Sequence, residues 1–262
     1  MSDDLLLTGA TLLDGTGAPP QVHAAVAVED GWITDAGAAE EVQPPPEARA
    51  VDLAGRFLIP GLMDAHFHLR EPSLLDGLVR CGVTTVVDPA HPLPPLADDD
   101  PRPDALQPRS SLRRSGPPID GPQSPRVDAV VVATEGEARR AVAAQADEGV
   151  VFCKLYSRLP PDLFRAAAQE ARDHGLRVVA DVAATSWTEA ADAGAHLICH
   201  ACPQHPRLLP ARKRDAYVTA LHQGELHPLV GWFERLRLDS EEIDGLIDSL
   251  LAGGVALVPT LA

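Results

Sequence analysis

The chain has 262 residues, 45% hydrophobic and 23% charged, which is ordinary for a globular protein and long enough to bury one substantial core. Its 22 basic and 38 acidic residues give a net charge of −16, which opposes nonspecific attraction to nucleic acid or to an anionic membrane. Four cysteines in a chain of this length exclude a disulfide framework and favour buried thiols.

The start, MSDDLLLTGATLL, carries acidic residues where a signal peptide carries basic ones, and its apolar run is too short to span a bilayer. A cytoplasmic protein is therefore expected. Residues 1–57 read as a small β unit, half of a β-sandwich. DLLLTGATLLDGTG predicts two strands around Thr8-Gly9, and HAAVAVEDGWITDAG two more around Asp30-Gly31. A Pro-rich break, QPPPEA, precedes extended structure in AVDLAGRFLIPG.

From residue 58 to 262, short apolar strands alternate with amphipathic helices, the pattern of a parallel α/β fold. FLIPGLMDAHFHL is the first strand and reads as buried on both faces. LLDGLVRCG predicts a helix closed by Gly82, and VTTVVDP the second strand. Residues 91–125 hold ten of the 25 prolines and the Asp98–Asp100 run, so an irregular excursion is expected there, around a short strand near SLRRSG. TEGEARRAVAAQADEG predicts a helix opened by a Thr134–Glu137 capping box and closed at Gly149. VVFCKLY is a strand, and DLFRAAAQEARDHG a helix entered through Pro160-Pro161 and stopped by Gly175. LRVVADV, SWTEAADAG and AHLICH continue as strand, helix and strand. A helix-rich stretch at 211–252 leads to the last strand, VALVPTL. No fixed-period repeat is present.

In such alternating folds the functional groups gather at the C-terminal ends of the strands. His66 and His68 end the first strand, and the period of two turns both imidazoles to one side. Lys154 sits between Cys153 and Leu155, Asp181 ends LRVVADV, and His200 ends AHLICH. A lone strand histidine is usually structural, but His-x-His after an apolar Pro-Gly run favours a metal pair. Lys154 either snorkels its ammonium to a rim or is a modified or metal-linked lysine, since a charged amine is costly to bury there. Asp181 caps the following helix, orients a histidine or binds a metal. His174 reads as a structural imidazole at a helix C-terminus, and His222 and His227 as solvated. Cys199 and Cys202 match C-x-x-C, but no second pair exists for a structural zinc site.

The blocks LIPGLMDAHFHL, GVTTVVDP, CKLYSRLPPDLFRAAAQEARDHGLRV, EAADAGAHLICHA and LVPTL together resemble the amidohydrolase superfamily, near its imidazolonepropionase-like and prolidase-like branch. The resemblance runs over nearly the whole chain. It implies a TIM-like (β/α) barrel and a metal-dependent hydrolase of C–N bonds other than peptide bonds, acting through metal-activated hydroxide on a small-molecule substrate. It also implies a metal set of His66, His68, Lys154 and His200 around one or two divalent ions, Zn2+ first and Mn2+ second, with Lys154 carbamylated and bridging the two ions where both are bound.

Two departures stand out. Asp181 occupies the position of a family histidine, where it is expected to serve as ligand or proton carrier. The sequence also reaches only a seventh expected strand, without the metal-binding aspartate that the family carries on strand eight. A barrel incomplete after strand seven sets against activity of the chain alone, and suggests a homo-oligomer or a complementing chain. A catalytically silent barrel or binding subunit is the rival reading. HFHLREP is further similar to dihydroorotases and other cyclic amidohydrolases, which makes Arg70, with Tyr156, the expected substrate-contacting pair.

Overall fold

The computed structural model describes residues 4–90, 109–200, 205–223 and 228–260. Most of the Pro-rich excursion, Cys202, His227 and the His222 side chain lie outside the described residues. The chain divides into two units, Met1–Leu62 and Met63–Ala262.

In the first unit, β1 (Leu5–Leu12), β2 (Gln21–Glu29), β3 (Trp32–Ala38) and β4 (Arg49–Asp52) form a sheet in the order β3-β2-β1-β4, and β5 (Phe57–Leu58) also pairs with β1. The hairpin at Asp30-Gly31 is as expected, with both residues left-handed (φ +49° and +80°) to match the strand twist. Thr8-Gly9 is not a turn. β1 runs straight through it, and Gly9 at φ +77° sits where the register with β2 slips, so the glycine makes a bulge within one strand. Ala25, Ala27 and Val42 form this unit's small core.

The second unit is mixed α/β with parallel sheets. β6 (Leu62–Asp64), β7 (Val83–Asp88) and β8 (Ser111–Arg114) form one sheet in that order. β9 (Ile119–Asp120), β10 (Val130–Val131), β11 (Phe152–Leu155), β12 (Arg177–Ala180), β13 (Leu197–Cys199) and β14 (Ala256–Val258) form another, in the order β10-β9-β11-β12-β13-β14. A parallel bridge from Ser115 to Phe152 links the end of β8 to β11. The helices are α1 (Leu74–Arg80), α2 (Glu135–Asp147), α3 (Pro161–Asp173), α4 (Trp187–Asp192), α5 (Ala211–His222), α6 (Pro228–Phe233) and α7 (Glu241–Ala252). None of those described is long and apolar enough to cross a membrane.

Helix starts follow local chemistry. Thr134 and Ser186 each close a capping box, with Glu137 and Glu189, at the heads of α2 and α4. Pro161 opens α3, where its missing N–H costs nothing.

The central strands are apolar on both faces, as covered parallel strands must be. Cys153, Leu155, Val178, Ala180 and Ile198 face the main core with Phe164, Ala167 and Val142 of the helices. Phe152, Val179 and Cys199 form a second cluster on the opposite face. Two residues on from Phe152 and Val179 come Lys154 and Asp181, so the pleat carries those groups on the second face, beyond its apolar layer.

The first strand departs from expectation. Pro60-Gly61 breaks the run into two short strands, Phe57–Leu58 (β5), which pairs with β1, and Leu62–Asp64 (β6). Nor is the run buried: Ile59 and Leu62 are each 51% exposed and Met63 75%. β6 is the edge strand of its sheet, which leaves one side uncovered. Among the cysteines, Cys153 and Cys199 are buried as expected, whereas Cys81 is exposed at the end of α1.

Candidate functional site

Lys154, Asp181, His200, His66 and His68 come from distant parts of the sequence and meet at one end of the strands. Lys154 is almost fully buried, and its Nζ lies 3.3 Å from Asp181 Oδ2 and 3.4 Å from Cys199 Sγ. The same Asp181 oxygen lies 3.3 Å from His200 Nε2. The His66 ring centroid is 5.1 Å from those of both His68 and His200.

The two histidines of the motif do not share one strand face. They follow β6 in a loop, with their rings nearly perpendicular at 86°. Asp64 Oδ1 accepts from His66 N–H at 3.0 Å, turning the chain out of the strand, and Phe67 N–H donates to the Val87 carbonyl. Asp88, at the end of β7, holds the rest of the loop. Its carboxylate accepts from the backbone of Leu69 and Ala90 and lies 3.6 Å from His68 Nδ1. The strand-end carboxylate of VTTVVDP was the available signal for this residue, and sequence reasoning passed over it.

Electrostatics shift His66, Asp181 and Cys199 in definite directions. Burial, together with the neighbouring charges of Lys154, His68 and His200, pushes the His66 pKa down to about 4, so its imidazole is neutral at physiological pH. Its Nδ1 is buried and has no hydrogen-bond partner among the described residues. Burial works to raise the Asp181 pKa, but His200 and Lys154 outweigh it and hold the carboxyl below its ordinary value. Burial pushes the Cys199 thiol up, which leaves it protonated beside Lys154.

His200 sits just past β13 in a left-handed conformation (φ +68°), with its backbone N–H donating to the Val258 carbonyl. Its Nδ1 is 2.7 Å from Thr260 Oγ1, and that hydroxyl donates to the Pro259 carbonyl. His200 Nε2, 3.3 Å from Asp181 Oδ2, is placed either to donate a proton to that carboxylate or to share a cation with it. Among the described residues no three His, Cys, Asp or Glu side chains are already closed into a metal shell.

Close to the cluster, Tyr156 follows β11 and is half-buried, with Lys154 Nζ 5.9 Å from its ring centroid. Arg70 is exposed on the loop after Leu69. His174 caps α3 and lies 3.3 Å from Glu170, as a helix-end imidazole should.

No protein-family profile matches the chain. Part of the chain is similar to curated relatives. It is 40% identical over 72 residues to a dihydroorotase of Anaeromyxobacter sp. (strain K), and 36% identical over 106 residues to an allantoinase of Streptomyces avermitilis. The first match takes in 28% of this chain and 16% of the dihydroorotase, the second 36% of this chain and 23% of the allantoinase, so the chain spans a minor part of each relative.

The likeness in fold is broader. Molinate hydrolase is 19% identical with a TM-score of 0.65 over 99% of this chain and 73% of its own. An amidohydrolase is 20% identical with a TM-score of 0.63 over 98% and 78%. A Xaa-Pro dipeptidase is 16% identical with a TM-score of 0.59 over 99% and 80%. The resemblance to the amidohydrolase superfamily read from the sequence is thus borne out.

Proposed function

We propose that this chain, with its amidohydrolase-like fold, is a metal-dependent hydrolase of amide or cyclic amide C–N bonds in small molecules. In this reading β6, β7, β8, β11, β12, β13 and β14 are the first seven strands of a TIM-like barrel, and the clustered side chains stand at its mouth. The partial matches to a dihydroorotase and an allantoinase, and the fold likeness to an amidohydrolase, support the reaction class.

One observation carries the proposal: His66 presents a neutral, half-buried imidazole whose buried Nδ1 meets no partner among the described residues, beside His68, His200 and Asp181. A buried ring nitrogen left without a hydrogen bond is costly, and a cation among these groups supplies what is missing. The donor set fits a borderline divalent ion, Zn2+ first and Mn2+ second. His66 and His68 hold one ion. Asp181 and His200 hold the same or a second one, and Lys154, once carbamylated, joins them. Such an ion lowers the pKa of a water toward about 7 and polarises a carbonyl oxygen.

The chain's own residues do the rest. Asp181 Oδ2, shared between Lys154 and His200, is the carboxylate placed to hold and pass a proton to the leaving nitrogen. Asp88 keeps the His68 loop in place. Arg70 and Tyr156 stand at the rim as substrate contacts.

Metal analysis of protein purified without chelator, alongside hydrolysis assays on cyclic amides, N-acyl amino acids and dipeptides, tests the reading. About one equivalent or more of Zn2+ or Mn2+, lost in His66→Ala, is expected. Metal below about a tenth of an equivalent in both proteins, with blank assays, would leave the silent-barrel reading standing instead.

A further inference from the structure

The sheet also carries polar groups at the end opposite the five clustered side chains. Strand pairing sets Arg113 beside Val87 and Arg177 beside Phe152, so both arginines project from the second face. Arg177 opens β12, and Arg113 lies two residues before the bridge from Ser115 to Phe152, the first residue of β11. Along β12 this face reads Arg177, Val179, Asp181, and the apolar layer of Phe152, Val179 and Cys199 separates the arginines from Lys154 and Asp181. A cavity of about 470 Å3 lies at the arginine end, and its lining includes Arg113, Arg177 and His174 with the apolar Val151, Phe152 and Leu176.

The two guanidiniums are free to take a ligand. Neither makes an ion pair or a side-chain hydrogen bond among the described residues, although the chain holds 38 acidic residues against 22 basic ones. By contrast, Arg126, Arg139, Arg207 and Arg237 each hold a carboxylate within 3.2 Å. Glu170, the carboxylate beside His174 at 3.3 Å, is shared with Arg139 at 3.2 Å and so is engaged elsewhere. The backbone N–H groups of Val151, Gly175, Leu176 and Arg177 all donate to carbonyls, which leaves side chains as the donors in this cavity. Burial and the charges of Arg177 and Arg172 lower the His196 pKa, so the Arg177 charge is felt by its neighbours and not cancelled.

The structure assigns this cavity as a binding site for a phosphate monoester, with the dianion between Arg113 and Arg177 and the organic group laid on Val151, Phe152 and Leu176. A guanidinium presents planar, paired donors that match phosphate oxygens, and two of them match a double charge. Because no ion pair has to be broken first, the full attraction goes to the ligand. The apolar wall selects an ester over a free ion: Val151 is 39% exposed, and an apolar group placed over it removes that surface from water. The volume falls within the roughly 300–1,000 Å3 of small-ligand sites. Sequence reasoning passed over both arginines, because the rule that locates functional groups looks to the other ends of the strands. The site lies across the apolar layer from the Lys154–Asp181–His200 group and does not rest on the hydrolase reading.

Titration calorimetry of chelator-treated protein at about pH 8, where a monoester carries both charges, tests the site with phenyl phosphate, inorganic phosphate and phenol. Chelation keeps a metal at the other end of the strands from holding the anion. Phenyl phosphate is expected to bind once per chain, at least about threefold more tightly than inorganic phosphate, and phenol not at all. Arg113→Gln and Arg177→Gln should each weaken phenyl phosphate at least about tenfold, Arg177→Lys should keep part of the affinity, and His66→Ala all of it. Circular dichroism checks that each variant is folded. No binding, binding that survives either glutamine variant, or binding lost in His66→Ala would overturn the assignment. Inorganic phosphate bound as tightly as phenyl phosphate would overturn the ester as the ligand class.

Discussion

The Lys154–Asp181 pair can be weighed against its own desolvation. The Lys154 side chain is only 3% exposed and that of Asp181 23%, with 3.3 Å between Nζ and Oδ2. At that distance and an effective dielectric near 20, Coulomb's law gives about 5 kcal/mol of gross attraction. Most of it offsets the cost of taking the ammonium out of water, so the net worth of the pair is small, yet removing one partner is expensive. Asp181→Asn leaves Lys154 buried with a neutral amide and the Cys199 sulfur. The expected loss is about 2–4 kcal/mol, at or below the usual range for an orphaned buried charge because Asp181 is partly open to water. Lys154→Met removes the charge that needed a partner, leaves Asp181 with His200, and should cost about 1 kcal/mol or less. In the double variant the Asp181 change should become nearly neutral. Urea unfolding of chelator-treated protein reads all four corners of the cycle, and chelation keeps a bound metal from carrying the effect. A coupling below about 0.5 kcal/mol would refute the claim that Lys154 is held as a buried ammonium by Asp181.

Other consequences follow from the same structure. His196 Nδ1 accepts from the Val178 N–H at 3.1 Å, and burial with the charges of Arg177 and Arg172 lowers its pKa below 6.5. Its contribution is therefore full above pH 6.5 and is lost as the pH falls through the lower folded value; His196→Asn should flatten the acid side of the stability–pH curve measured by urea midpoints. Gly121→Ala should cost about 1–3 kcal/mol and raise protease sensitivity of the neighbouring segments, because the new methyl group meets the Arg158 carbonyl. Phe164→Ala, a fully buried ring of α3 in the main core, should cost about 3–5 kcal/mol in the same unfolding assay. Zinc loading in bicarbonate should add the mass of one CO2 to Lys154, read by intact-mass spectrometry and absent in Lys154→Ala; unchanged mass would leave Lys154 as the ammonium partner of Asp181.

Where one residue carries a local rule, the sequence is readable. The capping boxes at Thr134 and Ser186 and the left-handed Asp30-Gly31 hairpin are of this kind, as is the two-residue pleat that puts Lys154 and Asp181 on one face. Thr8-Gly9 misled because a glycine between two apolar runs serves a turn and a bulge equally well; only pairing with β2 decides between them. The His-x-His run misled differently. Pro60-Gly61 cuts the strand short, and the orientation of both rings is set by Asp64 and Asp88, one of them across the sheet. Asp88 and Thr260 were illegible as site residues because their partners lie 19 and 60 positions away. Side-chain type announces chemistry at a strand end, whereas the residues that aim it are visible only once the strands are side by side.

The backbone around His200 shows how that aiming is achieved. His200 and Thr260 are both left-handed, at φ +68° and +50°, a conformation that is uncommon for histidine and a clear outlier for a β-branched threonine. Each such residue costs on the order of 1–3 kcal/mol and persists only where its surroundings hold it. Here the surroundings are the parallel pairing of β13 with β14, the His200 N–H bond to Val258, and the 2.7 Å contact between the His200 ring and Thr260. Had His200 simply continued β13, the pleat would have turned it to the face opposite Cys199, toward the helices and away from Asp181. The left-handed turn instead swings its ring back over the second face, where Thr260 holds Nδ1 and Nε2 meets the Asp181 carboxylate. Backbone strain is thus placed where an imidazole and a carboxylate converge, an arrangement suited to a shared proton or a cation. That ties the conformation of two residues at the ends of neighbouring strands to the proposed chemistry of the mouth.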